Sequence, residues 1–327
     1  MAVALSRLLV NGVLLAIPIG ASLGVLFGID AYRSNHGQAA LFSGDTDGTG
    51  SGGSTGSGGS TVTNNGVNST IYCQLSYGIT PASTGEQFTL NPNQWGVTDS
   101  TSGALCMNIT TFNNETYPTK TTAPEFSVTW QFDPGSETAP VHAFPNIMVD
   151  GVLPIELEKM TEIAMDFRWT YGVGDTPAES TNTTDLTANS ANFNVAVDMF
   201  FDSDKTAAQN SSKAKYEVMV WFAKIGDSTQ PNGNQTTTTR KLDGTTFDLW
   251  SGTNDVEQYV LTWVATNVTD TFTGDIYPLI TDLYELSGDE YPSSTDYMGI
   301  FSYGSEVFSS DKNVTFWSPK LSIDIQK

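Results

Sequence analysis

The stretch Phe193-Asn194-Val195-Ala196-Val197-Asp198-Met199-Phe200-Phe201 alternates with a period of two. Phe193, Val195, Val197, Met199 and Phe201 fall on one face; Asn194, Ala196, Asp198 and Phe200 fall on the other. Successive side chains of a β-strand point to opposite faces, so this pattern predicts a strand with one fully apolar side. Tyr216 to Phe222 repeats it, with Val218, Val220 and Phe222 opposed to Glu217, Met219 and Trp221. From about Tyr72 onward, similar short segments are separated by Gly, Pro, Asn and Asp clusters. Many short alternating strands in succession predict an all-β chain, an antiparallel β-sandwich. One segment departs from the pattern. Asp275 to Leu286 places Ile276, Leu279, Ile280, Leu283 and Leu286 at helical spacing, with Pro278 early and Gly288 as a stop. It predicts one amphipathic helix packed under the sandwich.

The carboxylates on these strands are the candidate chemistry. Glu217 shares its face with Met219 and Trp221, which reads as the floor of a cleft or as an edge Glu beside surface aromatics. Asp198 interrupts an apolar strand and needs a partner there, unless it faces solvent at the strand end. A partnered Asp198 would share a proton with a neighbouring carboxyl group. Glu306 lies in Tyr303-Gly304-Ser305-Glu306-Val307-Phe308, where Gly304 can open a bulge that re-aims the acid, or Glu306 is an ordinary surface residue.

Composition narrows the function classes. The formal net charge is −22, from 14 Lys and Arg against 36 Asp and Glu. A nucleic-acid partner would be repelled. Charged residues make up only 15%, and the surface is supplied largely by hydroxyl and amide side chains, which suits a neutral, hydroxyl-rich partner. The two histidines, His36 and His142, stand in unrelated contexts, so neither a Ser-His-Asp triad nor a zinc cluster is expected. No metal or cofactor is expected. Cys73 and Cys106 read as one disulfide in an exported chain, worth roughly 3–4 kcal/mol, or as two buried thiols.

The chain divides into three parts. Residues 1–32 contain Leu8 to Ile29, a mostly apolar run. It is long enough to cross a bilayer of about 30 Å as a helix. It reads as a signal-anchor or as a cleaved signal peptide. Residues 33–67 form a Gly/Ser-rich linker, with a span of roughly 25–30 Å over Ser43 to Gly66. Residues 68–327 form the sandwich domain. Eight Asn-x-Ser/Thr sequons, at Asn68, Asn108, Asn114, Asn182, Asn210, Asn234, Asn267 and Asn313, fit an exported glycoprotein. The expected location is extracellular, free or membrane-anchored, with the domain outside.

An ordered series of motifs resembles glycoside hydrolase family 12, the small cellulase and xyloglucanase family. Asn93-Gln94-Trp95-Gly96 is similar to its Asn-Asn-Leu-Trp-Gly, bracketed by Cys73 and Cys106 as its disulfide pair is. Trp130-Gln131-Phe132 resembles Trp-Gln-Trp, Trp169-Thr170-Tyr171-Gly172 resembles Trp-Ser-Tyr-Ser, and Asn194 to Phe200 resembles Asn-Val-Ala-Tyr-Asp-Leu-Phe. Tyr216-Glu217-Val218-Met219-Val220-Trp221 is similar to Tyr-Glu-Leu-Met-Ile-Trp, with Gly226-Asp227 and Pro231 following. Thr273-Gly274-Asp275 opens the helix, and Tyr303 to Phe308 resembles Phe-Gly-Thr-Glu-Pro-Phe. The series runs from about Ile71 to Gln326.

The resemblance implies a jelly roll whose concave face binds a β-1,4-glucan and cuts it internally with retention. Glu217 would be the nucleophile, Glu306 the general acid/base and Asp198 the residue assisting Glu217. Trp95, Asn93, Trp130, Met219, Trp221 and Pro231 would contact the substrate. The enzyme would act as a monomer on xyloglucan, mixed-linkage glucan or cellulose. Pro92, Gln94, Phe132 and Val307 depart from the motifs and bear on the shape of the sugar subsites. The competing readings are a non-catalytic glucan-binding or wall-tethering module on the same sandwich, and a jelly-roll hydrolase of another polysaccharide.

Overall fold

The alternating segments become strands in a computed structural model, which describes residues 67–327 except 83, 84, 86, 113–116, 137 and 138. The expected signal-anchor or signal peptide, residues 1–32, lies outside the described residues, as does the expected linker, residues 33–67, except Val67, which opens the first strand. Among the described residues no helix is long and apolar enough to cross a membrane.

Six strands form one sheet, in the order β1 (Val67–Tyr72), β3 (Gly103–Phe112), β4 (Glu125–Phe132), β16 (Val314–Gln326), β7 (Glu162–Val173) and β13 (Thr271–Asp275). The second sheet runs β10 (Asn234–Leu242), β11 (Thr245–Thr253), β12 (Tyr259–Ala265), β9 (Tyr216–Ile225), β8 (Asn192–Asp202), β14 (Tyr297–Gly304), β5 (Asn146–Asp150) and β2 (Gln87–Asn91). Two short strands, β6 (Ile155–Glu156) and β15 (Val307–Ser309), pair with β14 and β8.

The apolar faces read from sequence meet between the sheets. Phe193 of β8 stacks on Tyr171 of β7, with ring centroids 3.7 Å apart, and Phe222 of β9 meets Phe167 edge-on at 4.7 Å. Trp130, Trp169 and Trp263 are also inside, each at most 1% exposed. Burial of this aromatic core, with its geometry-dependent ring contacts, holds the sheets together.

The structure corrects two expectations. The sandwich is not wholly antiparallel: β12 runs parallel to β9, pairing Val260 with Glu217 and Val264 with Trp221. The chain leaves β9 for the sheet edge as β10, then two hairpin reversals bring β12 back beside β9 in the same direction. Among the described residues there are also two α-helices, α1 (Thr183–Ala188) and α2 (Tyr277–Tyr284). Helix α1 was not expected, because Thr-rich sequence is a poor helix former. Its start is fixed by the Asn182 side chain, which accepts N–H bonds from Thr184 and Asp185. Helix α2 is shorter than the 275–286 spacing implied. Asp275 ends β13, where its carboxylate accepts the N–H groups of Ile163 and Tyr277 at 2.9 and 2.8 Å.

Cys73 and Cys106 form a disulfide. Gln94 is buried and donates to the Gln74 carbonyl at 2.9 Å beside that bridge. This departure from the family motif therefore serves the scaffold. Phe132 is likewise interior, packed on the His142 ring. Val307 donates its N–H to the Ala143 carbonyl at 2.9 Å, a bond that a proline cannot make.

Candidate active site

Three parallel rows of side chains cross the outer face of the larger sheet, set by strand register. One row runs Trp250, Thr262, Met219, Asp198, Ser302, Met148 and Thr89 over β11, β12, β9, β8, β14, β5 and β2. Beside it, Val260, Glu217, Phe200 and Ile300 form a second. On the other flank, Val264, Trp221, Ala196 and Gly304 form a third. Ala196, Met219 and Trp221 make a small apolar cluster on this face, separate from the core.

Glu217 is half-buried between Val260 and Phe200. Loss of hydration there raises its pKa above the ordinary glutamate value. The Asn254 amide opposes this by donating to Glu217 Oε2 at 2.8 Å, which favours the carboxylate. Asn254 is itself fixed: its Oδ1 accepts the Gln258 N–H at 3.0 Å, and its amide also donates to Gln258 Oε1 at 2.8 Å. Gln258 in turn donates to the carbonyls of Ser211 and Ala214.

Glu306 sits in the turn between β14 and β15. Burial raises its pKa to about 7, and the negative charge of Glu217 adds to the shift. Asn194 holds the residue from three directions. Its Oδ1 accepts the Glu306 N–H at 2.8 Å, its Nδ2 donates to Glu306 Oε2, and its own N–H donates to the Glu306 carbonyl at 3.1 Å. Ser305 ties the same turn inward, donating to the Asn194 carbonyl and sharing a hydrogen bond with Tyr171 Oη. Gly304 does not open a bulge. A Cβ there would lie 2.1 Å from the Pro145 carbonyl, so the glycine permits close strand approach.

Asp198 is 9% exposed, and its Oδ1 has no hydrogen-bond partner. Burial, then the charges of Glu217 and Glu306, push its pKa well above the usual aspartate value. The three carboxyl groups thus form one electrostatic unit in which at most some can be ionised together.

The other expected residues separate. Met219 and Trp221 lie on the carboxylate face, with Trp221 Nε1 donating to the Met219 sulfur at 3.4 Å. Trp95 is 54% exposed in the loop after β2. Its loop packs on residues 142–144 through Gly96 N–H to His142 O and Phe144 N–H to Asn93 O. Ala143 and His142 in turn bond Val307, next to Glu306. Asn93 shapes this loop with φ 42°, a left-handed conformation that Asn tolerates. Pro231 is buried in the loop after β9. Trp130 is a correction. It is 1% exposed and donates its indole N–H to Tyr171 Oη at 2.8 Å, inside the sandwich. Phe126, Val128, Trp130 and Phe132 form the inward face of β4, so Trp130 does not reach a ligand on the other sheet. Two residues central to the geometry, Asn194 and Asn254, were not among the expected site residues. Asn194 was signalled by its place on the same strand face as Asp198; Asn254 lies in a loop with no pattern to mark it.

Asn194 is fully buried with both side-chain polar atoms engaged. Asn194→Ala is expected to cost about 1–3 kcal/mol of stability through the unpaired groups left behind. Its hydrogen bond also lowers the Glu306 pKa, so its loss should move the Glu306 titration upward. Carboxyl NMR titration of Glu306 checks this, since a purely structural defect would lower the unfolding temperature without moving that titration.

The raised pKa of Asp198 also bears on stability. The folded state holds its proton more tightly than the unfolded state, so the contribution of Asp198 is fully present below about pH 3.9 and is lost as pH rises towards its folded pKa. Asp198→Asn is expected to raise Tm relative to the parent at pH 7 and to give little difference at pH 3.5. Thermal unfolding at the two pH values measures it.

Comparison with known proteins gives a consistent result. The family model for glycosyl hydrolase family 12 matches residues 86–326. A xyloglucan-specific endo-β-1,4-glucanase A from Emericella nidulans is 26% identical over 242 residues, covering 73% of this chain and 87% of that protein. The structure of Trichoderma harzianum endoglucanase 3 superposes with a TM-score of 0.62 at 20% identity, covering 79% of this chain and 98% of that one. The catalytic domain of Humicola grisea Cel12A, solved with a soaked thio cellotetraose, gives 0.60 at 21% identity, covering 78% and 99%. Over residues 86–326, which include Asp198, Glu217 and Glu306, the chain is a member of glycosyl hydrolase family 12.

Proposed function

We propose that this protein is a retaining endo-β-1,4-glucanase acting on a plant-type glucan, with Glu217 as nucleophile and Glu306 as general acid/base. The observation that supports it most is the unequal treatment of two half-buried carboxyl groups on one face. Burial raises both groups and an asparagine amide donates to each, Asn254 to Glu217 and Asn194 to Glu306, but at Glu306 the Glu217 charge adds to burial and keeps the proton on up to about pH 7. Retaining glycosidases need this division of labour, with the two groups about 5–5.5 Å apart across the scissile bond.

In the first step Glu217 attacks the anomeric carbon as Glu306 gives its proton to the departing glycosidic oxygen. A glycosyl ester on Glu217 results, and the Glu217 charge disappears. That removes one cause of the raised Glu306 pKa, so Glu306 becomes a stronger acid and stays ionised. As a carboxylate it then takes a proton from water, which attacks the anomeric carbon and releases the chain with retained configuration. Asp198, on the strand next to Glu217 and with its pKa raised by burial and the neighbouring charges, is placed to share its proton with Glu217 as the charge there comes and goes.

The curated relatives favour xyloglucan as substrate, with mixed-linkage glucan and cellulose as the other β-1,4-glucans to compare. The apolar Leu8–Ile29 run and the sequons support an extracytoplasmic location, secreted or tethered. Reducing-end release by the full chain and by residues 68–327 on xyloglucan, barley β-glucan and carboxymethylcellulose tests the activity. Hydrolysis of at least one, lost in Glu217→Gln, is expected. A folded protein that binds these glucans and cuts none would favour the binding-module reading.

A further inference from the structure

The central row of the sheet continues past the carboxylates to a residue with no role in the mechanism above. Trp250, on β11, lies two strands from Met219, about 10 Å across the sheet. It is partly exposed, whereas its neighbours along the strand on the core side, Phe247 and Leu249, are fully buried. Of the seven tryptophans, Trp130, Trp169, Trp221, Trp263 and Trp317 donate the indole N–H within the protein. Trp95 and Trp250 have no such partner among the described residues, and they stand at opposite ends of the face that carries Glu217 and Glu306. Between Trp250 and Met219 lies Thr262, 0% exposed, whose hydroxyl has no hydrogen-bond partner. Asp248, two residues before Trp250 on the same strand, accepts from Gln235 and Thr239 at 3.0 and 2.9 Å, which ties β11 to β10 beside the indole. A partly exposed indole with no N–H partner, in line with Asp198 on the carboxylate face, is poorly explained by packing.

We infer that Trp250 is a sugar-stacking platform forming a distal glucan subsite, at the end of the cleft opposite Trp95. The indole face lies against the C–H face of a glucosyl ring, and its N–H reaches a ring hydroxyl. A substrate chain would then be gripped at both ends, with the scissile bond between the two tryptophans. The inference rests on the glucanase reading of the same face.

The test is binding of cellohexaose and of a xyloglucan oligosaccharide of equal backbone length, by titration calorimetry in the uncut Glu217→Gln background. Adding Trp250→Ala is expected to weaken binding at least about tenfold, equivalent to about 1.4 kcal/mol. Adding Trp250→Phe, which keeps a ring face, should stay within about threefold of the background. Adding Trp250→Leu separates stacking from packing. Leucine fills apolar space without offering a flat face, so weak binding with an unchanged unfolding temperature supports the platform. Tight binding by both the Ala and Leu variants would overturn this inference and leave the glucanase reading standing. No binding of either sugar by the Glu217→Gln parent would overturn both.

Discussion

Glu217→Gln is expected to abolish glucan hydrolysis, by on the order of 10⁴-fold or more in kcat, with KM for the polymer nearly unchanged. The substitution preserves the shape of the side chain and its acceptor for Asn254, so the face should retain its packing. It removes the only group on β9 able to form a glycosyl ester. A second consequence follows from the charge. Without the anion at position 217 the Glu306 pKa should fall, since that charge helps to hold it at about 7. Titration of Glu306 in the variant, by carboxyl NMR, should report a lower value than in the parent. An unchanged value would mean that the two groups do not share one electrostatic unit.

Glu306→Gln is the next largest effect, and its size should depend on the leaving group. General acid catalysis contributes about 10²–10⁴-fold, so turnover of a glucan, whose leaving alcohol needs a proton, should fall by that range. An aryl cellobioside with a good leaving group needs no protonation in the first step and should lose far less in its glycosylation rate. The alkaline limb of the pH profile should also change. In the parent, activity is expected to fall as pH rises through about 7, where Glu306 loses its proton before the first step. In the variant that limb should disappear. The acid limb should remain, above the ordinary glutamate value, because it reflects protonation of Glu217.

Much of this site was legible in sequence because strand alternation fixes faces. Once Val218, Val220 and Phe222 are assigned to the core, Glu217, Met219 and Trp221 must share the other side, and the structure places them so. The same logic applied to β4 would have put Trp130 inside with Phe126, Val128 and Phe132. Motif likeness pointed it towards the ligand, and periodicity was the better guide. Asn254 and Gln258 were not legible, since they act through a loop whose approach to Glu217 depends on β12 returning parallel to β9. Local pattern carries no information about that return. Helix α1 was hidden for a different reason: its six residues are set by one cap at Asn182 and one buried side chain, Leu186, rather than by any repeating stripe.

The central claim, that Glu217 carries the glycosyl group while Glu306 manages the proton, can be read from a mass. Lys215 and Lys224 flank a tryptic peptide, Tyr216–Lys224, in which Glu217 is the sole acidic side chain. In Glu306→Gln treated with dinitrophenyl β-cellobioside, the first step proceeds without the acid and the second lacks its base, so the glycosyl-enzyme should accumulate. The account predicts that acid quench, digestion and mass spectrometry will find a cellobiosyl group added to that peptide. A dinitrophenol burst with the sugar on any other peptide, or on none, would contradict it.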